Sequence, residues 1–141
     1  MKSILMGIGK IHSLEQATVI ILNKFSGWKL EWTGDGFNNC DAIGFTPKGY
    51  SCAMEMKFRN KYYEKKMLEV DKYNRLMKSN VEVRLYFVGD PKGNYMFWLD
   101  QMEMPEPEKM WCPSTTLWKN DKKEKLVYLL EEKKASEVLF Y

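Results

Sequence analysis

At 141 residues the chain is long enough for one domain with its own core and too short for two ordinary ones. Hydrophobic residues at 45% against charged residues at 29% strike the balance of a soluble globular protein, and a net charge of +3 suits a polyanionic partner without requiring one. Three scattered cysteines (Cys40, Cys52, Cys112), no CxxC pair and a single histidine, His12, argue against a zinc site and favour buried thiols in a reducing cytoplasm.

The first twelve residues carry an apolar stretch broken by Gly7, Gly9 and Lys10, too short for a leader or a bilayer span. Gly7-Ile8-Gly9-Lys10 also lacks the spacing of a phosphate-binding loop. Ser13 followed by Gln16 reads as a capping box, and Leu14, Ala17, Ile21 and Phe25 continue at helical spacing until Gly27. Residues 28–33 alternate as a strand and turn at Gly34-Asp35-Gly36, and residues 40–46 and 50–59 read as two further strands. A polar helix is predicted over 63–78, ended by Asn80. An apolar strand follows over 81–89, then a turn at 91–94 and a strand over 95–99. Residues 103–120 hold three of the five prolines and read as an irregular excursion. Asp121 and Glu124 then signal a helix to residue 134, and residues 137–141 a last short strand. Helices against a mixed sheet are expected, an α/β or α+β sandwich in the order αβββαβ with a C-terminal extension. One domain is expected over 1–141, with a core at about 12–100 and the extension at 101–141.

The chemistry concentrates in residues 40–59, CDAIGFTPKGYSCAMEMKFR. Pro47-Lys48-Gly49 suits a three-residue hairpin loop, because proline pre-sets the first turn position and glycine takes the left-handed one. Counting back in pairs from Thr46 and Tyr50 brings Asp41 opposite Glu55, where side chains share a face roughly 5 Å apart at Cβ. Lys57 lies one alternation further on that face, while Cys52, Met54, Met56 and Phe58 form the opposite, core face. Two opposed carboxylates repel unless a cation joins them. A hard divalent ion meets that need, polarising a phosphoryl oxygen and acidifying water. A neighbouring ammonium can orient the attacking water or stabilise charge on the phosphate.

A helix, a hairpin with Asp41 on one strand and Glu55-Met56-Lys57 on the next, then a helix and a strand, resembles the PD-(D/E)XK nuclease superfamily over about residues 12–90. The fourteen-residue separation of Asp41 and Glu55 is in keeping with that pattern, whereas Cys40 stands where the family's nominal proline would be. The resemblance implies a restriction-endonuclease-like core. It also implies Asp41 and Glu55 as metal ligands, helped by the backbone carbonyl of Met56, and Lys57 as the catalytic lysine. Mg2+ is the implied cofactor, with Mn2+ as a substitute, and DNA the implied substrate, with RNA left open. Members often add an acidic residue from the first helix, for which Glu15 is the candidate, and a polar residue from the second, for which Lys72 or Tyr73 would serve. Compact members of this size resemble phage or archaeal junction-resolving, structure-selective endonucleases. A homodimer would suit such a resolvase, acting in the cytoplasm (the host's, if phage-encoded) and not at a membrane.

Simpler readings stand beside these. The E-x-K pattern recurs at Glu64/Lys66, Glu131/Lys133 and Glu132/Lys134, so only its place on an alternating strand opposite an aspartate sets Glu55/Lys57 apart. A cross-strand ion pair on an exposed sheet is the plain alternative. A glutamate such as Glu15, in the first turn of a helix, is favoured by the dipole whatever its function. Arg59, Lys61 and Tyr62 suit phosphate contacts and stacking, or an ordinary solvated helix entrance. The rival function is a catalytically inactive nuclease-fold module for nucleic-acid binding or assembly.

Overall fold

The computed structural model describes residues 2–34, 39–113 and 122–139. Its elements are α1 (Lys2–Phe25), β1 (Lys29–Trp32), β2 (Ala42–Phe45), β3 (Ser51–Phe58), β4 (Lys65–Glu69), α2 (Val70–Met77), β5 (Val83–Asp90), β6 (Gly93–Trp98), β7 (Glu108–Pro113), β8 (Lys122–Glu131) and β9 (Glu137–Leu139). Six strands form a mixed sheet in the order β1-β2-β3-β5-β6-β9, antiparallel except for the parallel pair β3–β5. The connection from β3 to β5 carries β4 and α2, the long crossover that a parallel pair requires. A second, antiparallel sheet has the order β4-β8-β7. The helix-flanked mixed sheet is the expected class. No described helix is long and apolar enough to cross a membrane.

β3 is the central strand, and both of its faces are covered. Cys52, Met54 and Met56 pack with Val19 and Leu22 of α1, Trp28, Leu30 and Phe87. On the other side, Ala53 packs with Leu68 of β4, Leu76 of α2, Tyr86, Phe97 and Leu130 of β8. The β2–β3 register runs from Phe45↔Ser51 to Ala42↔Met54, which is the register that the Pro47-Lys48-Gly49 turn implies. At Gly44 (φ +155°) a side chain is excluded, because a Cβ would lie 1.9 Å from the Lys29 carbonyl oxygen. Cys40 and Cys52 are buried free thiols, and burial pushes each up to about 11.

Four sequence expectations change. Helix α1 starts at Lys2, so Ser13 and Gln16 lie inside it and cap nothing. The helix predicted over 63–78 divides into strand β4 and the shorter α2. The helix predicted to residue 134 is strand β8, followed by a single 3-10 turn, Glu132–Lys134. Part of the 103–120 excursion is strand β7. The second and third changes share one cause. Lys, Glu, Leu and Met favour helix locally, yet pairing of β4 with β8, and of β8 with β7, overrides that preference. Asp35, Gly36, Trp118 and Asp121 lie outside the described residues.

A buried ion pair ties the two sheets together. Lys66 of β4 donates from Nζ to Asp90 Oδ2 of β5 at 2.8 Å and to the Tyr63 carbonyl at 2.6 Å. Its ammonium also stands over the Tyr62 and Tyr95 rings at 4.3 and 4.2 Å. Removing one partner of such a pair strands a charge. Asp90→Ala should therefore destabilise the fold by about 3–5 kcal/mol in urea unfolding, whereas Lys66→Met with Asp90→Leu should recover most of that loss.

Candidate active site

β2 stops pairing at Ala42↔Met54, but β3 continues through Phe58, so Glu55, Met56, Lys57 and Phe58 run along an edge with no β2 partner. Asp41, one residue before β2, turns this edge into a site. Its N–H donates to the Met54 carbonyl at 2.9 Å, and its Oδ2 accepts the Met56 N–H at 2.8 Å, replacing the missing ladder bond. Its carbonyl accepts the Thr33 N–H at 2.8 Å, and the Thr33 hydroxyl donates to the Cys40 carbonyl at 2.6 Å. A residue's N–H and C=O point to the same side of a strand, so the Met56 carbonyl faces the side on which Asp41 sits.

Glu55 is only 8% exposed and stands beside Asp41. Burial and then the charge of Asp41 push its carboxyl up to about 8, against the pull of Lys72 and Arg75. Asp41 is raised by burial too, opposed by the Met56 N–H and by Lys72, His12 and Lys57. Glu15 is 6% exposed and joins the group from α1, where its Oε1 accepts the Trp32 Nε1–H at 2.9 Å. Burial raises it, Trp32 lowers it, and Asp41 raises it again. With α1 starting at Lys2, Glu15 is mid-helix, so the first-turn dipole does not account for it.

Lys57 lies on the Glu55 face of β3 and is half-buried. Burial lowers its pKa, and the charges of Lys72, Arg59 and Lys125 lower it further, with Glu69 opposing. Lys72 of α2 stands 4.0 Å from Glu55 Oε1 and 3.4 Å from Glu69 Oε2. Lys125 of β8 meets Glu69 Oε1 at 2.6 Å. Burial pushes Glu69 up, but Lys125 and Lys72 outweigh it and hold Glu69 below its usual value.

The structure thus brings together Asp41, Glu55, Lys57, Glu15 and Lys72. Tyr73 turns away, edge-on to Tyr128 at 5.1 Å. Tyr62 is engaged elsewhere, donating to Glu132 at 2.7 Å beneath Lys66 and Lys92. Lys61 is exposed and Arg59 lines a pocket beside Lys57. His12 packs edge-on to Trp32 at 5.6 Å and draws down both Glu15 and Asp41. Sequence reasoning missed Glu69 and Lys125, since both lay in stretches read as helix.

A divalent cation fits this donor set. Among the described residues no three His, Cys, Asp or Glu side chains make a metal cluster by themselves. Asp41, Glu55 and the Met56 carbonyl would leave the remaining positions to water and substrate, the arrangement that magnesium favours. Mutual repulsion of buried carboxylates is the physical reason for a cation there.

The chain is similar in structure to Archaeoglobus fulgidus Hjc, a Holliday junction resolvase from an archaeal hyperthermophile. The match covers 88% of this chain and 93% of that one, at a TM-score of 0.55 and 14% sequence identity. The two share a fold. No protein-family model and no curated protein sequence matches the chain. The likeness of fold accords with the helix-flanked mixed sheet expected from the sequence.

A carboxyl raised in the folded state stabilises most when protonated. The Glu55 contribution is fully present below about 4.5 and is lost as pH rises through about 8. The melting temperature of metal-free protein should fall across that window, by an equivalent on the order of a few kcal/mol. Glu55→Gln should flatten the fall, and magnesium should reverse it at pH 8. A wild-type profile matching that of Glu55→Gln would contradict the assignment.

Proposed function

We propose that the chain is a divalent-metal-dependent nuclease that hydrolyses DNA phosphodiester bonds, a structure-selective endonuclease of the junction-resolving kind. The observation that carries this reading is the pair of buried carboxylates, Asp41 and Glu55, on the open edge of β3 with Lys57 beside them. Asp41 and Glu55, with the Met56 carbonyl, would hold Mg2+, or Mn2+ in its place, and Glu15 stands near enough to tune their charge. A bound divalent cation supplies Lewis-acid polarisation of the phosphoryl oxygen. Lys57, its ammonium disfavoured by burial and neighbouring cations, donates a hydrogen bond to the attacking water or to a phosphate oxygen. The water oxygen bonds to phosphorus and the ester P–O bond breaks. The attacking water gives up one proton to solvent and the leaving alkoxide takes one up, giving a phosphomonoester and an alcohol. Lys72 offsets charge at Glu55, and Glu69 with Lys125 keeps Lys72 in place.

The whole chain is read as one nuclease domain, with β8 at the centre of the second sheet and β9 at the edge of the first. A junction presents two strands to cut, so a homodimer with two sites suits the function. One observation favours the rival, inactive binding module: Lys72 already sets an ammonium 4.0 Å from Glu55.

Labelled duplex, single strand, flap and four-way junction, each with magnesium, manganese or chelator, test the reading. Wild type should cut the junction only with metal. Asp41→Asn, Glu55→Gln and Lys57→Ala should each lose about 100-fold or more in rate while keeping the fold. Full activity in any one of the three defeats the site assignment, and DNA binding without cutting under any condition favours the binding module.

A further inference from the structure

We propose that a pocket adjoining the site seats the phosphodiester group next to the one cleaved, with Arg59 and Lys10 as its anion contacts and Tyr63 as a platform for the attached base. The proposal rests on the nuclease reading and names a substrate subsite for it. A cavity of about 440 Å3 lies where the end of β3 meets α1, lined by Lys10, Leu14, Lys57, Arg59, Asn60 and Tyr63. Three of its lining residues are cations and none is acidic. Arg59 makes a further demand. Its Nη2 is shut off from solvent and has no hydrogen-bond partner among the described residues. A buried donor without an acceptor is costly, which favours a turn of the Arg59 side chain into the pocket, where a guanidinium fork matches phosphate oxygens in geometry and charge.

Three observations favour a nucleic-acid strand over free phosphate. Lys57 lines both the pocket and the proposed catalytic site, so one strand passes from one to the other. Arg59 follows Lys57 by two residues in extended chain, its N–H donating to the Gly89 carbonyl at 2.9 Å. That sets their Cα atoms roughly 7 Å apart where β3 ends, with both side chains on one face, a step that neighbouring phosphates can match. The volume exceeds what a phosphate needs, and the walls offer Tyr63 (52% exposed) and Leu14 (38% exposed) to a base. The Tyr63 carbonyl is tied to the buried Lys66 ammonium at 2.6 Å, which holds the platform's main chain in place.

The test is binding of a labelled four-way junction and a duplex in chelator, so it does not depend on cleavage. Arg59→Ala and Lys10→Gln should each weaken binding about tenfold and lower the salt slope by about one. Tyr63→Ala should weaken binding by several-fold, with Tyr63→Phe restoring it. In a methylphosphonate scan, one neutral linkage should penalise wild type but add nothing to Arg59→Ala. In the cleavage assay these variants should raise KM more than they lower kcat. If Arg59→Ala fails to fold, Lys10→Gln and Tyr63→Ala, both at exposed positions, carry the same test. Wild-type binding and salt slope in all three, or a methylphosphonate penalty that persists in Arg59→Ala, overturns the proposal. Absence of cutting alone overturns only the nuclease reading.

Discussion

β2 is four residues long and β3 is eight, and the candidate site exists because of that mismatch. Beyond Met54 the edge of β3 would present unpaired backbone groups, which a protein interior does not tolerate. The Asp41 carboxylate takes the Met56 N–H, so a side chain does the work of a neighbouring strand. That substitution fixes the aspartate beside Glu55 and leaves the edge open to whatever lies alongside it. Sheet edges are usually blunted or covered. Here the edge is lined instead with acids, then a lysine and an arginine in succession.

The electrostatics follow from what covers the face of β3. α2 and the second sheet close over Glu55 and Lys57, so both lose water and both are pushed toward neutrality. Cations reach this face from two further elements, Lys72 from α2 and Lys125 from β8, with Glu69 between them. Glu15 comes from the helix on the opposite side of the sheet, reaching the group around the place where β2 has ended. Acid and base are thus drawn from five elements and meet at one strand edge.

The hairpin was legible because its information is local. Pro47-Lys48-Gly49 sets the turn, alternation assigns the faces, and the pairing of Ala42 with Met54 carries Asp41 to Glu55. The β5–β6 hairpin was legible for the same reason, since Val83–Asp90 and Gly93–Trp98 are apolar strands joined by a clear turn. What escaped was non-local. Nothing within residues 63–69 or 122–131 says that they pair, and their Lys, Glu and Leu content argues for helix. Glu69, Lys125 and the buried state of Lys66 were hidden with that pairing. Tyr73 was offered, beside Lys72, as the polar second-helix residue that the family resemblance implies, yet it packs on Tyr128, a residue of the same unforeseen strand.

The pairing of β4 with β8 joins residues 65–69 to residues 127–131. Contacts so far apart along a chain close late, because a long loop must first be ordered. The β2–β3 hairpin closes through a short turn, so Asp41, Glu55 and Lys57 meet early. Glu69 gains Lys125 only when β8 docks, and Lys72 is held only then. During synthesis, the carboxylates would therefore stand assembled while β8 was still to be made. A later strand thus completes the charge balance of an earlier hairpin, so maturation of the site is tied to the docking of β8.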